Sequence, residues 1–202
     1  MTELATIALG APAASWSALG FSVVDGLVPF VNGAIELTDD RPGVGELGIT
    51  GLSAAVTVDG VSFVPRPVVP SCDHPNGARS IDHVVIMTDS IDRTSAAIED
   101  VLGLERRRVR ETETVRQAFH RFADPPEASA GERGCILELV EQARVRTPEV
   151  WGLVVIVDDL EQFQSTCPDL VAPPKPAVQP GRLIATARRE ADLGTAVAFM
   201  TP

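Results

Sequence analysis

The feature that most constrains this fold is a repeat in the C-terminal three fifths of the chain. The segment HVVIMTDSID, which starts at residue 83, aligns with GLVVIVDDLE, which starts at residue 152, and each apolar run is followed by a helix-capping residue. Farther along, LELVE aligns with VAFMT in the same order. A repeat with matching elements in the same order predicts two copies of one unit that share a core.

The first copy is predicted to fold as a strand, a helix and three further strands. The β-branched apolar run Ile81–Met87 indicates a strand, and a capping segment then precedes a helix over 91–104. Leu102 and Leu104 follow the helical periodicity, so we expect both to be buried, with Gly103 allowing the chain to turn. Further strands are predicted around 105–110, 115–122 and 135–141.

The second copy repeats this order. An apolar strand over Val150–Val157 leads to a cap at Asp158-Asp159 and a short helix over 160–166. Strands are then predicted around 178–181, 183–188 and 196–200. The predicted fold class is therefore α+β, built from paired βαβββ modules over residues 80–146 and 147–202.

These residues resemble the vicinal oxygen chelate superfamily, which contains glyoxalases, bleomycin-resistance proteins and extradiol dioxygenases. The stretch IDHVVIMTDSIDRTSAAIEDVLGLE, from residue 81, is similar to the opening strand and helix of such a module, and CILELVE, from residue 135, is similar to its closing strand. The stretch from WGLVVIVDDL to VAFMTP is similar to second modules of bacterial glyoxalase-like proteins. The resemblance implies that the two modules curl around a cavity.

A predicted linker separates this domain from the N-terminal region. Residues 66–79 are rich in Pro and turn-forming residues and lack apolar periodicity, which divides the chain into 1–65 and a glyoxalase-like domain over 80–202. The N-terminal region has two interpretations. In one it is a degenerate pair of the same modules, because GAIELTDD aligns with CILELVE and places Glu36 over Glu138. In the other it is a small β-rich subdomain of its own.

Charge and cysteine usage limit the partners and the compartment. The formal net charge of -11 argues against a general nucleic-acid binder, which needs an excess of Lys and Arg. The apolar segment 4–24 carries no basic residue and is broken by Gly and Pro, so we expect neither a secretory signal nor a membrane span. The three widely separated cysteines favour the reducing cytoplasm.

The family resemblance implies a divalent metal, such as zinc, nickel, manganese or iron, held by the first and last strands of both modules. Carried over position by position, the first module supplies His83 and Glu138, whereas the second supplies Gly152 and Ala198, whose side chains bind no metal. Two ligands are fewer than the three that such sites need. We therefore predict a metal-free site, with His83 and Glu138 as the ligands if a metal is bound.

A third ligand has several candidate sources. His120, the linker residues His74 and Cys72, or another subunit would complete the set, so a homodimer stays open as an alternative. His120 either faces the cavity or occupies a surface strand position. Trp151, beside the vacant ligand position, belongs either to the core or to the cavity wall. Arg182 either meets a substrate carboxylate or forms an exposed ion pair.

Three functions follow from these alternatives. We favour a protein that binds a small molecule in an apolar cavity, where His83 donates a hydrogen bond to Glu138. The acidic composition mildly favours a cationic or aromatic ligand. The alternative is a metal-dependent lyase, isomerase or ring-cleaving dioxygenase of the same superfamily. A third function is cofactorless catalysis with Glu138 or His83 as the general base. The sequence contains no Ser-His-Asp signature, P-loop or dinucleotide fingerprint.

Overall fold

Two β-sheets form the framework of the structure, a computed structural model that describes residues 2–40, 42–126 and 132–202. The first sheet contains β1 (Leu4–Gly10), β2 (Leu27–Phe30), β3 (Gly33–Thr38), β4 (Gly43–Ile49), β5 (Val56–Val58) and β6 (Val61–Pro65). The second contains β7 (Ala78–Thr88), β8 (Arg106–Glu111), β9 (Arg116–Arg121), β10 (Ile136–Glu141), β11 (Glu149–Val157), β12 (Lys175–Pro176), β13 (Leu183–Thr186) and β14 (Ala196–Met200). The helices are α1 (Ala13–Ala18), α2 (Ile91–Leu102) and α3 (Leu160–Thr166), and a 3-10 turn covers Arg189–Ala191. Within the described ranges, no helix is long and apolar enough to cross a membrane.

The eight-stranded sheet contains both predicted modules. Its order is β12-β13-β14-β11-β7-β10-β9-β8, in which each module pairs its first and last strands in parallel. The two modules meet at the centre of the sheet, where β7 and β11 run antiparallel. This arrangement confirms the α+β class and the paired βαβββ modules.

Register shows that the two modules are related by an approximate two-fold axis. Val84 lies opposite Leu153 at the junction of β7 and β11, an interval of 153 − 84 = 69 residues. The same interval, 159 − 90 = 69, separates the two helix N-caps, Ser90 and Asp159, whose side chains each accept a hydrogen bond from a backbone N–H three residues later. The alignment of HVVIMTDSID with GLVVIVDDLE therefore holds in three dimensions.

The end of α2 has the predicted form. Gly103 adopts a left-handed conformation with a φ of 65°, which a side chain would disfavour, and the chain turns there. Leu102 and Leu104 are both buried, as predicted. The strand predicted around 178–181 is wrong, because those residues form a turn that is closed by a hydrogen bond from the Arg182 N–H to the Gln179 carbonyl.

The N-terminal sheet decides between the two interpretations of that region. Its order, β2-β3-β1-β4-β6-β5, repeats the order and the strand directions of β9-β10-β7-β11-β14-β13. Equivalents of β8 and β12 are missing from the described residues, as is a helix between β4 and β5. The strand order and directions of this region thus match those of the paired modules, and Glu36 pairs with Ala8 as Glu138 pairs with Val85.

One continuous hydrophobic core extends across both sheets. Phe21, which follows α1, lies 6.1 Å from the rings of both Phe30 and Phe199, and Phe199 lies 4.8 Å from Phe163 in α3.

Residues 66–77 form neither helix nor strand. His74 nevertheless joins this segment to β2 through the Pro29 carbonyl. The Asn32 side chain, which follows β2, hydrogen-bonds the backbone of Ile81 in β7, so polar contacts link the sheets as well as apolar ones.

Candidate functional site

The two faces of the eight-stranded sheet differ in what they contact. Alternate residues of its central strands point into the core on the side of α2 and α3, among them Val84, Ile86, Leu137, Leu139, Leu153 and Val155. The intervening residues His83, Val85, Glu138 and Val154 point to the opposite side, which we call the site face. The predicted ligand residues therefore share one surface of the sheet.

His83 and Glu138 approach each other on neighbouring strands of the site face. Nε2 of His83 lies 3.5 Å from Oε2 of Glu138, and the two side chains are only 15% and 12% exposed. Parallel pairing of β7 with β10 sets this distance, because Ile136 lies opposite His83 and Glu138 opposite Val85. The structure brings together the pair that the sequence singled out.

Asp82 joins this pair, although strand alternation would place it on the other face. His83 lies opposite Val154, but Ile81 lies opposite Val155, so Asp82 is the extra residue of a β-bulge. Its Oδ2 lies 2.7 Å from Nδ1 of His83. Its Oδ1 accepts a hydrogen bond of 3.1 Å from Nη1 of Arg182.

The contacts continue across the sheet on both sides. Gln117 of β9 donates from Nε2 to Oε1 of Glu138 at 2.5 Å, and Arg110 of β8 donates from Nη1 to Oε1 of Gln117 at 3.2 Å. At the other end, Nε of Arg182 donates to the Thr201 carbonyl at 2.7 Å. We call the connected side chains the polar chain: Arg110, Gln117, Glu138, His83, Asp82 and Arg182.

The two carboxyl groups of the polar chain respond differently to burial. Burial raises the pKa of Asp82, but the hydrogen bond and charge of His83 and the Arg182 guanidinium outweigh it, so this pKa lies below its ordinary value. Burial also raises the pKa of Glu138, and there His83 and Gln117 only partly oppose it, so this pKa lies above its ordinary value. Asp82 therefore keeps its charge more firmly than Glu138 does.

The second module forms an apolar wall beside the polar chain. Val154, Ile156 and Met200 are buried together on the site face, and smaller side chains pack around them: Ala177, Ile184 and Ala198. The site face is thus polar on the first module and apolar on the second. Such a surface suits a ligand that has one polar end and an apolar body.

The residues present do not fit the divalent metal that the family resemblance implies. Ala198 is the equivalent of Glu138 in the second module, because it lies opposite Val154 as Glu138 lies opposite Val85. Gly152 is the equivalent of His83, which it follows by the 69-residue interval between the modules. A Cβ at Gly152 would collide with the backbone oxygen of Ala196, so this position has no room for a ligand side chain. Among the described residues, no group of three His, Cys, Asp or Glu side chains has the geometry to hold a metal.

The candidate third ligands lie elsewhere or are already bound. His74 is buried against the first sheet, where its Nδ1 accepts from the Ser22 N–H and its Nε2 lies 2.8 Å from the Pro29 carbonyl. Cys72 lies in the same segment, two residues before His74. Among the described residues, neither His74 nor Cys72 contacts a member of the polar chain.

The expectation that His120 faces either the cavity or solvent is wrong. His120 is fully buried on the core side of β9, where its Nδ1 lies 2.7 Å from the Leu104 carbonyl and its Nε2 lies 2.9 Å from Oγ of Ser95 in α2. It shares this face with Ala118, because residues two apart point to the same side of a strand. His120 therefore connects a helix to the sheet and contacts no part of the site face.

Two other predicted residues have distinct outcomes. Trp151 is 51% exposed, so its assignment to the core is wrong. The register steps from Val150 opposite Ile86 to Gly152 opposite Val85, which leaves Trp151 as an extra residue without a partner. Arg182 is held in a mostly buried ion pair with Asp82, not in the exposed ion pair that was one of its two interpretations.

The N-terminal sheet has filled the equivalent of this site with its own side chains. Glu36, the counterpart of Glu138, lies 3.8 Å from Nε of Arg66, and Glu46 on β4 lies 3.1 Å from Nη2 of the same guanidinium. A Cβ at Gly48 would collide with the Thr6 hydroxyl and the Arg66 side chain. The sheet therefore holds an internal ion-pair cluster at this position.

Comparisons with known proteins give matches only among solved structures. No protein-family model and no curated protein matches the sequence. A methylmalonyl-CoA epimerase variant from Streptomyces coelicolor in complex with 2-nitronate-propionyl-CoA is 20% identical over 60% of this chain and 95% of that chain, with a TM-score of 0.48. The corresponding epimerase from Mycobacterium tuberculosis is 14% identical over 63% and 91%, with a TM-score of 0.49. A hypothetical protein from Bacillus halodurans is 16% identical over 61% and 94%, with a TM-score of 0.47.

The chain's own topology decides the fold. Two βαβββ modules, each with parallel first and last strands, meet through antiparallel first strands in one sheet. This is the vicinal oxygen chelate fold. Fold alone does not assign a reaction, because the side chains of the site face determine what the protein can bind or catalyse.

Proposed function

We propose that this protein binds a small molecule on the site face without the help of a metal ion. The polar end of the ligand contacts His83 and Glu138, and its apolar body lies against the wall formed by Val154, Ile156 and Met200. The observation that carries this proposal is the division of one sheet face into a polar chain and an apolar wall. Apolar contact supplies most of the affinity in such sites, and a few polar groups fix the orientation.

Metal analysis tests the first half of the proposal. Protein purified without chelators is analysed for metal and then titrated calorimetrically with zinc, nickel, manganese and ferrous iron. We expect metal far below stoichiometry, because the positions of Gly152 and Ala198 supply no ligands. Near-stoichiometric metal that disappears in both His83→Ala and Glu138→Ala would instead favour a metal-dependent lyase, isomerase or dioxygenase.

Protein-observed NMR tests the second half. Benzyl alcohol, an apolar ring with one hydrogen-bonding group, is expected to shift the backbone resonances of Val85, Glu138 and Val154 in a saturable manner. Glu138→Leu should weaken its binding, whereas Arg107→Gln, on an exposed edge of β8, should not. Shifts scattered over the surface, or shifts that Glu138→Leu leaves unchanged, would contradict a binding site on this face.

One observation favours a second candidate function, which is metal-free acid–base catalysis. Asp82 contacts Nδ1 of His83 and so orients the ring with Nε2 toward Glu138, whose pKa is raised by burial. A general base needs this kind of positioning and pKa adjustment. Ketone fragments that bind the site face provide the test. The protein should accelerate the exchange of their α-protons in D2O, followed by NMR, and Glu138→Gln should abolish this acceleration.

A further inference from the structure

A cavity of about 670 Å³ opens at one end of the site face. Ile136 and Ile156, which both belong to that face, line it together with Asp82 of the polar chain. Its other charged side chains are mostly guanidinium groups: Arg79, Arg121, Arg133 and Arg182. We propose that this cavity, which we call the arginine mouth, binds the oxyanion of the ligand, either a carboxylate or a phosphate group. The inference rests on the proposed function and specifies its ligand class.

The charge of the arginine mouth is opposite to that of the whole protein. Its lining contains four arginines and two acidic side chains, Asp82 and Glu132, which gives 4 − 2 = +2 for the lining residues. Asp158 and Asp124, which pair with Arg79 and Arg121, lie outside the lining. The whole chain carries -11, so the remaining side chains carry -11 − 2 = -13. A positive cavity on an acidic protein attracts anions locally and repels them elsewhere, because a cavity concentrates the field of the charges that line it. The cationic ligand suggested by overall composition is therefore replaced by an anionic one.

The guanidinium groups of the mouth differ in how firmly they are held. Arg182 is fixed by Asp82 and by the Thr201 carbonyl, so it is preorganised at the inner end of the cavity. Among the described residues, the ion pairs of Arg79 and Arg121 are exposed, at 3.5 Å with Asp158 and at 3.4 Å with Asp124. Exposed pairs of this kind contribute little to stability, so a bound anion can take over these guanidinium groups at small cost.

The mouth leads directly to the polar chain. Asp82 belongs to both, and Ile136 lies opposite His83 in the pairing of β7 with β10. Asp82 does not oppose an anion with a free charge, because Arg182 and His83 bind its two oxygens. A ligand whose oxyanion lies among the arginines can therefore extend over Ile136 and Ile156 and present a second polar group to the His83–Glu138 pair. Arg is suited to this role because its planar fork binds carboxylate and phosphate through two parallel hydrogen bonds.

NMR titrations with four probes of one ring size test the ligand class. Benzoate and phenyl phosphate carry an oxyanion, benzyl alcohol is neutral and benzylammonium is cationic. We expect at least one anion to bind about tenfold more tightly than benzyl alcohol, the effect of one charge-assisted hydrogen bond. Benzylammonium should bind more weakly than that anion and more weakly than benzyl alcohol. Raising the ionic strength from about 50 mM to about 500 mM should weaken the binding of the anion but not the binding of benzyl alcohol.

Arginine variants locate the anion. Arg121→Gln and Arg79→Gln remove exposed guanidinium groups without disturbing Asp82, and each should weaken anion binding several-fold while benzyl alcohol binds unchanged. Arg107→Gln, which removes an exposed guanidinium group that does not line the mouth, is the matched control. Suppose that benzyl alcohol binds the site face, but the anions bind no more tightly than it does or bind both arginine variants as tightly as the wild type. The proposed ligand class is then wrong and the proposed function stands. If no probe shifts the site face, both are overturned.

Discussion

Asp82 binds the imidazole of its own chain neighbour, with Oδ2 2.7 Å from Nδ1 of His83. Consecutive residues of a regular strand point to opposite faces, so only the bulge in β7 allows this contact. The bulge also directs Oδ1 of Asp82 toward Arg182. One extra residue in a central strand thus connects the arginine mouth to the His83–Glu138 pair.

Asp82 should stabilise the protein only where it is ionised. Although burial alone would raise its pKa, His83 and Arg182 hold it below the ordinary value. The contribution is therefore fully present above the unfolded-state pKa, near 3.9, and is lost as the pH falls through the lower folded-state pKa. We expect Asp82→Asn to lower the free energy of unfolding by about 1–3 kcal/mol at pH 7, and by less at pH 3.

Urea denaturation at the two pH values measures this difference. Glu105→Gln is the control, because Glu105 forms only an exposed ion pair with Arg107 and should change stability by less than about 1 kcal/mol. Equal losses for Asp82→Asn at pH 7 and pH 3 would show that the side chain acts through its shape and not through its charge.

Glu138 should have the opposite effect on stability. Burial raises its pKa despite His83 and Gln117, so the folded state binds its proton more tightly than the unfolded state does. Its contribution is present below the unfolded-state pKa and is lost as the pH rises through the folded-state pKa. Glu138→Gln keeps an acceptor for Gln117 and removes the buried charge. The variant should raise the free energy of unfolding at pH 7 by about 0.5–3 kcal/mol, the size of change typical of single substitutions.

Thermal and urea denaturation of Glu138→Gln at pH 7 check this expectation. The same variant should weaken the binding of benzyl alcohol at the site face, because a neutral amide oxygen accepts a weaker hydrogen bond from the hydroxyl than a carboxylate does. A variant that is less stable at pH 7 would show that the Glu138 charge is satisfied in the folded state.

Periodicity and repetition were enough to predict the modules, whereas departures from regular strands were not predictable. The apolar run of β7, the caps at Ser90 and Asp159, and the Leu102–Leu104 helix end all follow local rules that the structure obeys. Asp82 was missed because alternation assigns it to the core side, and no sequence pattern marks the bulge. Gln117 had a usable signal, since it alternates with the buried Ala118.

The error over His120 has a different cause. Polar residues are usually exposed, so a histidine between Arg121 and Phe119 favours a surface or cavity position. Its burial depends on two partners distant in sequence, the Leu104 carbonyl and the Ser95 hydroxyl. Such a match is visible only once α2 packs on the sheet. The degenerate N-terminal modules stayed undecided for a similar reason, because strand order and direction are long-range properties.

Leu102 should be among the residues on which the packing of α2 depends. It is 6% exposed and belongs to the continuous core, whereas its neighbour Val101 on the same helix is 42% exposed. Leu102→Ala is expected to lower the free energy of unfolding by about 2–5 kcal/mol, through lost apolar burial and the cavity left behind. Val101→Ala is the matched control and should change it by less than about 0.5 kcal/mol in urea denaturation. A loss below about 0.5 kcal/mol for Leu102→Ala, no larger than that of the control, would place Leu102 outside the core.

The two buried histidines should be neutral and in opposite tautomers. Nδ1 of His74 accepts from the Ser22 N–H, so its proton lies on Nε2, which donates to the Pro29 carbonyl. Nδ1 of His120 donates to the Leu104 carbonyl, so its Nε2 accepts from Ser95. Long-range ¹H–¹⁵N correlation spectra at pH 7 distinguish the two forms directly. The same tautomer at both residues would mean that one of these hydrogen-bond patterns is wrong.

Acid should destabilise the fold through these same residues. Burial lowers the pKa of both His74 and His120, with their backbone acceptors only partly opposing it. At these two residues the unfolded chain therefore binds more protons than the folded one as the pH falls below about 6.5, and their contribution to the free energy of unfolding falls with the pH. His120→Asn keeps an N–H donor for the Leu104 carbonyl but cannot titrate, so its free energy of unfolding should depend less steeply on pH between 7 and 5 than that of the wild type. Urea denaturation across this range measures both slopes, and equal slopes would show that His120 does not contribute to the acid sensitivity.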